Sequence, residues 1–143
     1  MKERGKGGDT SPPFIIFVRY ATKDECSSLL ALLGEESLLA CKQRNEPEKS
    51  IGVSWVGRHI VALESFCEDW LIRVSAPLYL QDRDQAEQQL SEAALQDDGQ
   101  FYFSVREAAG FALAEITAYG IPKDDRLGDT IRCMIEKLDR YLS

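Results

Sequence analysis

An α+β fold is what this sequence predicts, with a mostly antiparallel sheet and helices packed on one face. Three observations predict it. Apolar residues alternate with period two across 51–76. The stretches on either side carry apolar residues at helical spacing, and turn chemistry separates the two kinds of segment. A chain of 143 residues fits one domain, in which roughly 68–70% of the unfolded surface is buried on folding. Residues 1–13 are Gly-rich and basic, end in Pro12-Pro13 and show no apolar period. They are expected to be a flexible tail, with the domain spanning 14–143.

Phe14 to Val18 is apolar without alternation, the pattern of an N-terminal strand buried on both faces. Thr22-Lys-Asp-Glu25 fits a capping box, in which the Thr22 hydroxyl accepts from the Glu25 N–H and the Glu25 carboxylate accepts from the Thr22 N–H. Behind it Cys26, Leu29, Leu30 and Leu33 recur at helical spacing, and Gly34 is placed to stop the helix. Ser37 to Lys42 fits a short strand or a further helical turn. Arg44 to Ser50 is polar, contains Pro47 and reads as a loop.

Ile51, Val53 and Trp55 then alternate with Gly52 and Ser54. Gly57-Arg58 suits a two-residue hairpin turn, because Gly tolerates the positive φ of a type II′ first position. His59, Val61 and Leu63 form the return strand, followed by Trp70, Ile72, Val74 and Ala76. This is a three-strand meander with one wet face. Pro77 ends its third strand or sits at an edge.

The remainder reads as helical. Asp84 to Leu95 puts Ala86, Leu90, Ala93 and Ala94 on one stripe, and Asp97-Asp98-Gly99 breaks it. Ser104-Val-Arg-Glu107 fits a second capping box, opening a helix with Val105, Ala108, Ala109, Ala112, Leu113 and Ile116 and a stop at Gly120. A last helix is expected from about Asp124 to Leu142, with Leu127, Ile131, Met134, Ile135, Leu138 and Leu142 inward.

Charge is distributed unevenly. Between Glu64 and Asp98 lie nine acids (Glu64, Glu68, Asp69, Asp82, Asp84, Glu87, Glu92, Asp97 and Asp98) and two bases, Arg73 and Arg83. That window carries −7, the formal net charge of the whole chain, so the other 15 acids and 15 bases cancel. Such asymmetry speaks of partners and solubility. It disfavours nucleic acid, whose phosphates would be repelled, and no aromatic residues interleave with a basic stripe. The longest apolar run is Phe14 to Val18, far below the roughly 18 residues of a spanning helix. The N-terminus lacks the apolar core of a secretory signal, so a cytoplasmic protein is expected.

Cys26, Cys41, Cys67 and Cys133 form no C-x-x-C pair, and His59 is the sole histidine. A structural zinc site needs closer ligand pairs. Free, mostly buried thiols are the expectation.

No catalytic motif stands out. His59 has the right chemistry for a general base but sits beside a hairpin turn without a neighbouring nucleophile motif. Asp82-Arg-Asp84 begins like a calcium loop. Glu87 stands where the helix-loop-helix motif needs Gly, and Ala93 where it needs the bidentate Glu. A calcium site of other geometry would draw on Asp82, Asp84, Glu87, Asp97 and Asp98. A small enzyme using carboxylates or His59 is a further alternative. Phe101-Tyr-Phe103 follows the acidic segment, with Tyr102 the surface candidate. The leading expectation is an acidic, non-enzymatic module that neutralises or regulates a basic protein partner, as an immunity or inhibitor protein does. The nine acids and Tyr102 would be its contact residues, converging as one electronegative surface.

Overall fold

The computed structural model describes residues 18–46 and 52–143. The expected tail, most of the strand expected at 14–18, the loop residues 47–50 and Ile51 lie outside them. The described chain runs α1 (Ser27–Gln43), β1 (Gly52–Val56), β2 (His59–Phe66), β3 (Asp69–Tyr79), a 3₁₀ turn (Leu80–Asp82), α2 (Arg83–Gln96), β4 (Tyr102–Ala108), β5 (Phe111–Pro122) and α3 (Leu127–Leu142). The five strands form one antiparallel sheet in the order β1-β2-β3-β5-β4. This is an α+β fold with a mostly antiparallel sheet.

The meander forms where the period-two pattern places it. Gly57 has φ 61° while Arg58 does not share the positive region, as a II′ turn requires. Val56 pairs with His59 and Phe66 with Asp69, so both turns are two residues long. The Thr22–Glu25 capping-box contacts also form: Thr22 N donates to Glu25 Oε1 at 2.9 Å and Glu25 N to Thr22 Oγ1 at 3.3 Å. They close a turn just before α1, whose first helical residue is Ser27.

Two expectations are corrected. Gly34 does not stop α1, which continues to Gln43. Leu29, Leu33, Ser37 and Cys41 are all buried at four-residue spacing. The stripe persists, but its third position is polar and disguised it. The larger correction concerns the helix expected from Ser104 to a stop at Gly120, which is instead the β4–β5 hairpin. The turn is Ala109-Gly110, with φ 52° and 85°, as a type I′ turn demands. Along β5, Ala112, Ala114 and Ala118 alternate with Leu113, Glu115 and Thr117, and 112–118 is buried throughout. Ile116 shares the phase of the alanines, and because both phases are buried a wet-and-dry hydropathy pattern does not register the strand. Gly120 (φ 67°) is no helix stop. It lies in a bulge of β5, where the register with β3 slips between Trp70 and Ile72.

The pleat gives the sheet two unlike faces. Val61, Ile72, Val74, Ala76, Ala114 and Ile116 point to one, where Leu90 of α2 and Met134 and Leu138 of α3 complete the main core. Ile60 and Leu113 point to the other and pack with Leu29 and Leu33 of α1. The expectation of helices on one face therefore holds for α2 and α3, while α1 takes the opposite face.

Candidate functional site

Helix α1 lies mainly over β1 and β2 and reaches β5 at Leu113. The β5–β4 half of its face stays uncovered, and there the strand positions that would otherwise be apolar are polar. Cross-strand pairing builds a floor in rows: Ser75 opposite Glu115 opposite Ser104, and Arg73 opposite Thr117 opposite Tyr102. Apart from Ser75, these residues line a groove of about 740 Å³ together with Glu36 of α1, Arg106 and Tyr119.

Two carboxylates are buried on this face. Glu115 is 3% exposed. It accepts from Ser75 Oγ at 2.7 Å and Arg106 Nε at 2.9 Å. Arg106 also forks onto both oxygens of Glu36, at 3.0 and 3.4 Å. Burial works against the Arg106 charge, but the hydrogen bonds and charges of Glu115 and Glu36 outweigh it and hold the guanidinium more firmly protonated than usual. Glu64 accepts from Ser37 Oγ at 2.9 Å and Arg44 Nη2 at 3.1 Å, with Arg73 Nη1 at 3.5 Å.

Three aromatic rings cross the end of the same face. Phe66 and Tyr119 meet edge to face at 6.3 Å, and Tyr102 and Tyr119 at 5.4 Å. They are 38%, 50% and 61% exposed in the order Phe66, Tyr119, Tyr102. The Arg44 guanidinium stacks 5.0 Å above the Phe66 ring. Rings that are this open contribute little core and leave their faces available for contact.

Of the ten residues expected at a site, only Glu64 and Tyr102 lie on this face, and Glu64 is buried beneath it. Glu68 lies in the β2–β3 turn and Asp69 opens β3. Asp82 and Asp84 open α2, and Asp97 and Asp98 follow its other end, about 20 Å away at 1.5 Å per residue over a 14-residue helix. Glu87 lies 3.8 Å from Arg83, and Asp82 accepts from the Arg19 N–H at 3.2 Å. Glu92 is exposed on α2, and Asp98 accepts from the Gln100 N–H at 3.2 Å. Asp97 is tied to Lys137. Burial alone would raise its pKa, but the Lys137 hydrogen bond and charge and the Phe101 and Gly99 N–H groups hold it below the usual range. The expectation of one continuous electronegative surface is thus corrected: the acids are dispersed, and several serve local pairs. The five residues weighed for calcium are split between the two ends of α2. Among the described residues no group of three or more His, Cys, Asp or Glu side chains is placed to hold a metal ion.

His59 is 4% exposed. Its Nε2 lies 2.7 Å from Asp139 Oδ1, an oxygen that also accepts from the Tyr20 hydroxyl. Burial first, then the Asp139 carboxylate, pushes the Tyr20 phenol up. The cluster ties β2, α3 and the segment before α1 together. Cys26 and Cys41 are buried free thiols, and Cys67 and Cys133 are exposed ones.

Glu36, Phe66, Arg73, Arg106, Glu115, Thr117 and Tyr119 belong to the site without having been singled out by sequence. Except for Glu36 on α1, their signal was present only as alternate positions of strands, which for β4 and β5 required the hairpin to be seen first.

What fold and site together define is an α+β protein with a half-covered antiparallel sheet whose open half is polar and aromatic. Comparison with protein-family models, curated proteins and solved structures finds no match for this chain. No helix among the described residues is long and apolar enough to cross a membrane.

Proposed function

We propose that this protein is a binding module that docks a basic protein partner and thereby neutralises or regulates it, as an immunity or inhibitor protein does. The observation that carries this reading is the exposed ladder Phe66–Tyr119–Tyr102 beside the charged groove of Glu36, Arg106 and Glu115. Tyrosine and arginine grouped at an open surface are the residue types that dominate binding energy at interfaces. The dispersed acids act differently from a contact patch. A net charge of −7 sets up a field that speeds encounter with a basic partner, while the aromatic rings and the groove hold it.

The test is capture from lysate, identification of the retained protein, and a pairwise affinity measurement with it. The double variant Tyr102→Ser/Tyr119→Ser should lose about 2 kcal/mol of affinity or more, as hot-spot truncation does. Raising salt should slow association without abolishing it. Equal affinity of parent and double variant would remove the proposed surface.

A further inference from the structure

We propose that the partner's segment binds by strand addition at β4, extending the sheet beyond its present order. This inference rests on the binding reading above and specifies its mode and the chemistry of the bound segment. Strand β4 is terminal in the sheet and pairs with β5 alone among the described residues. No residue of its seven is buried. Its register with β5 runs without interruption from Tyr102 to Ala108. Proteins usually blunt such an edge with Pro, charged side chains, a bulge or a cover; the charges of β4, Arg106 and Glu107, are instead paired on the two faces, with Glu115 and Glu36 and with Arg83. The sequence Tyr-Phe-Ser-Val-Arg-Glu-Ala has no Pro and no Lys, and the pairing has no bulge. Alternate N–H and C=O groups of β4 therefore point away from the sheet and have no partner among the described residues.

Concavities flank this edge on both faces. The polar groove of about 740 Å³ reaches Tyr102, Ser104 and Arg106 on one side. A smaller groove of about 330 Å³, lined by Leu90, Ser91, Ala94, Phe103 and Val105, with Glu87 at its rim, lies on the α2 side. An added strand projects successive side chains to opposite faces, so its two sets of side chains meet one groove each. That is the geometry of β-augmentation, in which backbone pairing gives affinity and flanking pockets give specificity.

Charge selects the occupant. The most exposed charged groups along this edge are the carboxylates of Glu36, Glu87 and Glu107, at 45%, 51% and 53%. Each is paired, Glu36 with Arg106 and Glu87 and Glu107 with Arg83, but the guanidiniums of Arg73, Arg83 and Arg106 are the less exposed members at 29–38%, so the carboxylates lie outermost. The occupant is an extended segment of another protein in which long basic side chains alternate with small apolar ones. Basic groups reach Glu36, and small apolar groups fill the space beside Leu90 and Ala94.

The probe is an acetylated, amidated octapeptide of alternating lysine and valine, added to the full chain. Amide hydrogen exchange should slow at alternate β4 residues between Tyr102 and Ala108, with the other strands unchanged. N-methylation of alternate peptide amides should weaken binding about tenfold or more, because it removes the backbone donors while retaining charge and side chains. Equal binding by the methylated peptide, or protection elsewhere, would overturn strand addition while leaving a basic-segment surface in place. Absence of any binding by basic peptides would overturn both. Sedimentation showing β4 already paired with a second copy would overturn it in favour of self-association.

Discussion

The two faces of the sheet are built from opposite materials. Beneath α2 and α3 the inward positions from Ile72 through Ala118 to Leu142 are apolar and most are fully buried, with His59 and Ser65 of β2 as polar exceptions. Across the same strands, one residue out of phase, lie Arg73, Ser75, Glu115 and Thr117. A half-covered sheet needs apolar side chains only where a helix rests on it, so α1 accounts for Ile60 and Leu113 but not for the buried carboxylates beyond. Those carboxylates are paired with Arg44, Arg73 and Arg106, at a desolvation cost that an apolar floor would avoid. The contrast separates a face that holds the fold together from a face free to be shaped by contacts.

Substitution can break that contrast. The largest loss is expected on the packed face. Leu138→Ala removes a fully buried side chain and should lower unfolding free energy by about 2–5 kcal/mol in urea titration. A loss below about 1 kcal/mol would mean that the α3 contact is not close-packed. On the other face Arg106→Met strips Glu115 of its guanidinium and leaves a buried charge uncompensated. It should cost about 3 kcal/mol. Adding Glu115→Leu should recover most of this, since an apolar pair of similar volume is often as stable as a buried ion pair. No recovery in the double variant would show that the polar floor is itself structural.

A smaller effect joins α3 to the loop after α2. Lys137→Met should cost about 1–2 kcal/mol at neutral pH, the size of a charge-assisted hydrogen bond with one partly exposed partner. The Asp97 carboxyl binds its proton less readily in the folded chain than in the unfolded one. The contact therefore stabilises the fold above the ordinary carboxylate range, and its contribution fades as pH falls through and below about 4. Parent and Lys137→Met stabilities should converge on acidification. A gap that stays constant down to about pH 2 would place the effect in packing by the lysine stem rather than in charge.

Much of this architecture could be read in the chain. The meander announces itself because its wet and dry residues alternate, and α3 because its stripe is unbroken from Leu127 to Leu142. The hairpin β4–β5 was hidden for a physical reason. Where β5 faces α2 and α3 it carries alanine at three of four inner positions, Ala112, Ala114 and Ala118, with Ile116 the exception. Alanine is also the best helix former, and Ser104 with Glu107 happens to match a capping box. The site suffered the same fate, because Arg106, Glu115 and Tyr119 acquire a common face only once the strands are known. The acids were conspicuous in sequence and are dispersed in space. Sequence proximity on a helix with acids at both ends does not bring those ends together.

The smallest expected effect probes that hidden hairpin directly. Ala109 and Gly110 must both adopt positive φ for the turn to match the twist of its strands. For alanine this region costs about 1–2 kcal/mol relative to its preferred wells. Glycine carries no such penalty but loses more chain entropy on folding, so part of the gain is returned. Ala109→Gly should therefore stabilise the protein by about 0.5–1 kcal/mol, raising the thermal midpoint by a few degrees. Gly110→Ala should do the reverse. A Cβ there meets no atom within 4 Å, so its cost would be conformational alone. Were 102–122 a helix, both signs would invert, because glycine is worse than alanine inside a helix by about 1 kcal/mol. A lowered midpoint for Ala109→Gly would thus count against the hairpin and, with it, against both the groove and the β4 edge.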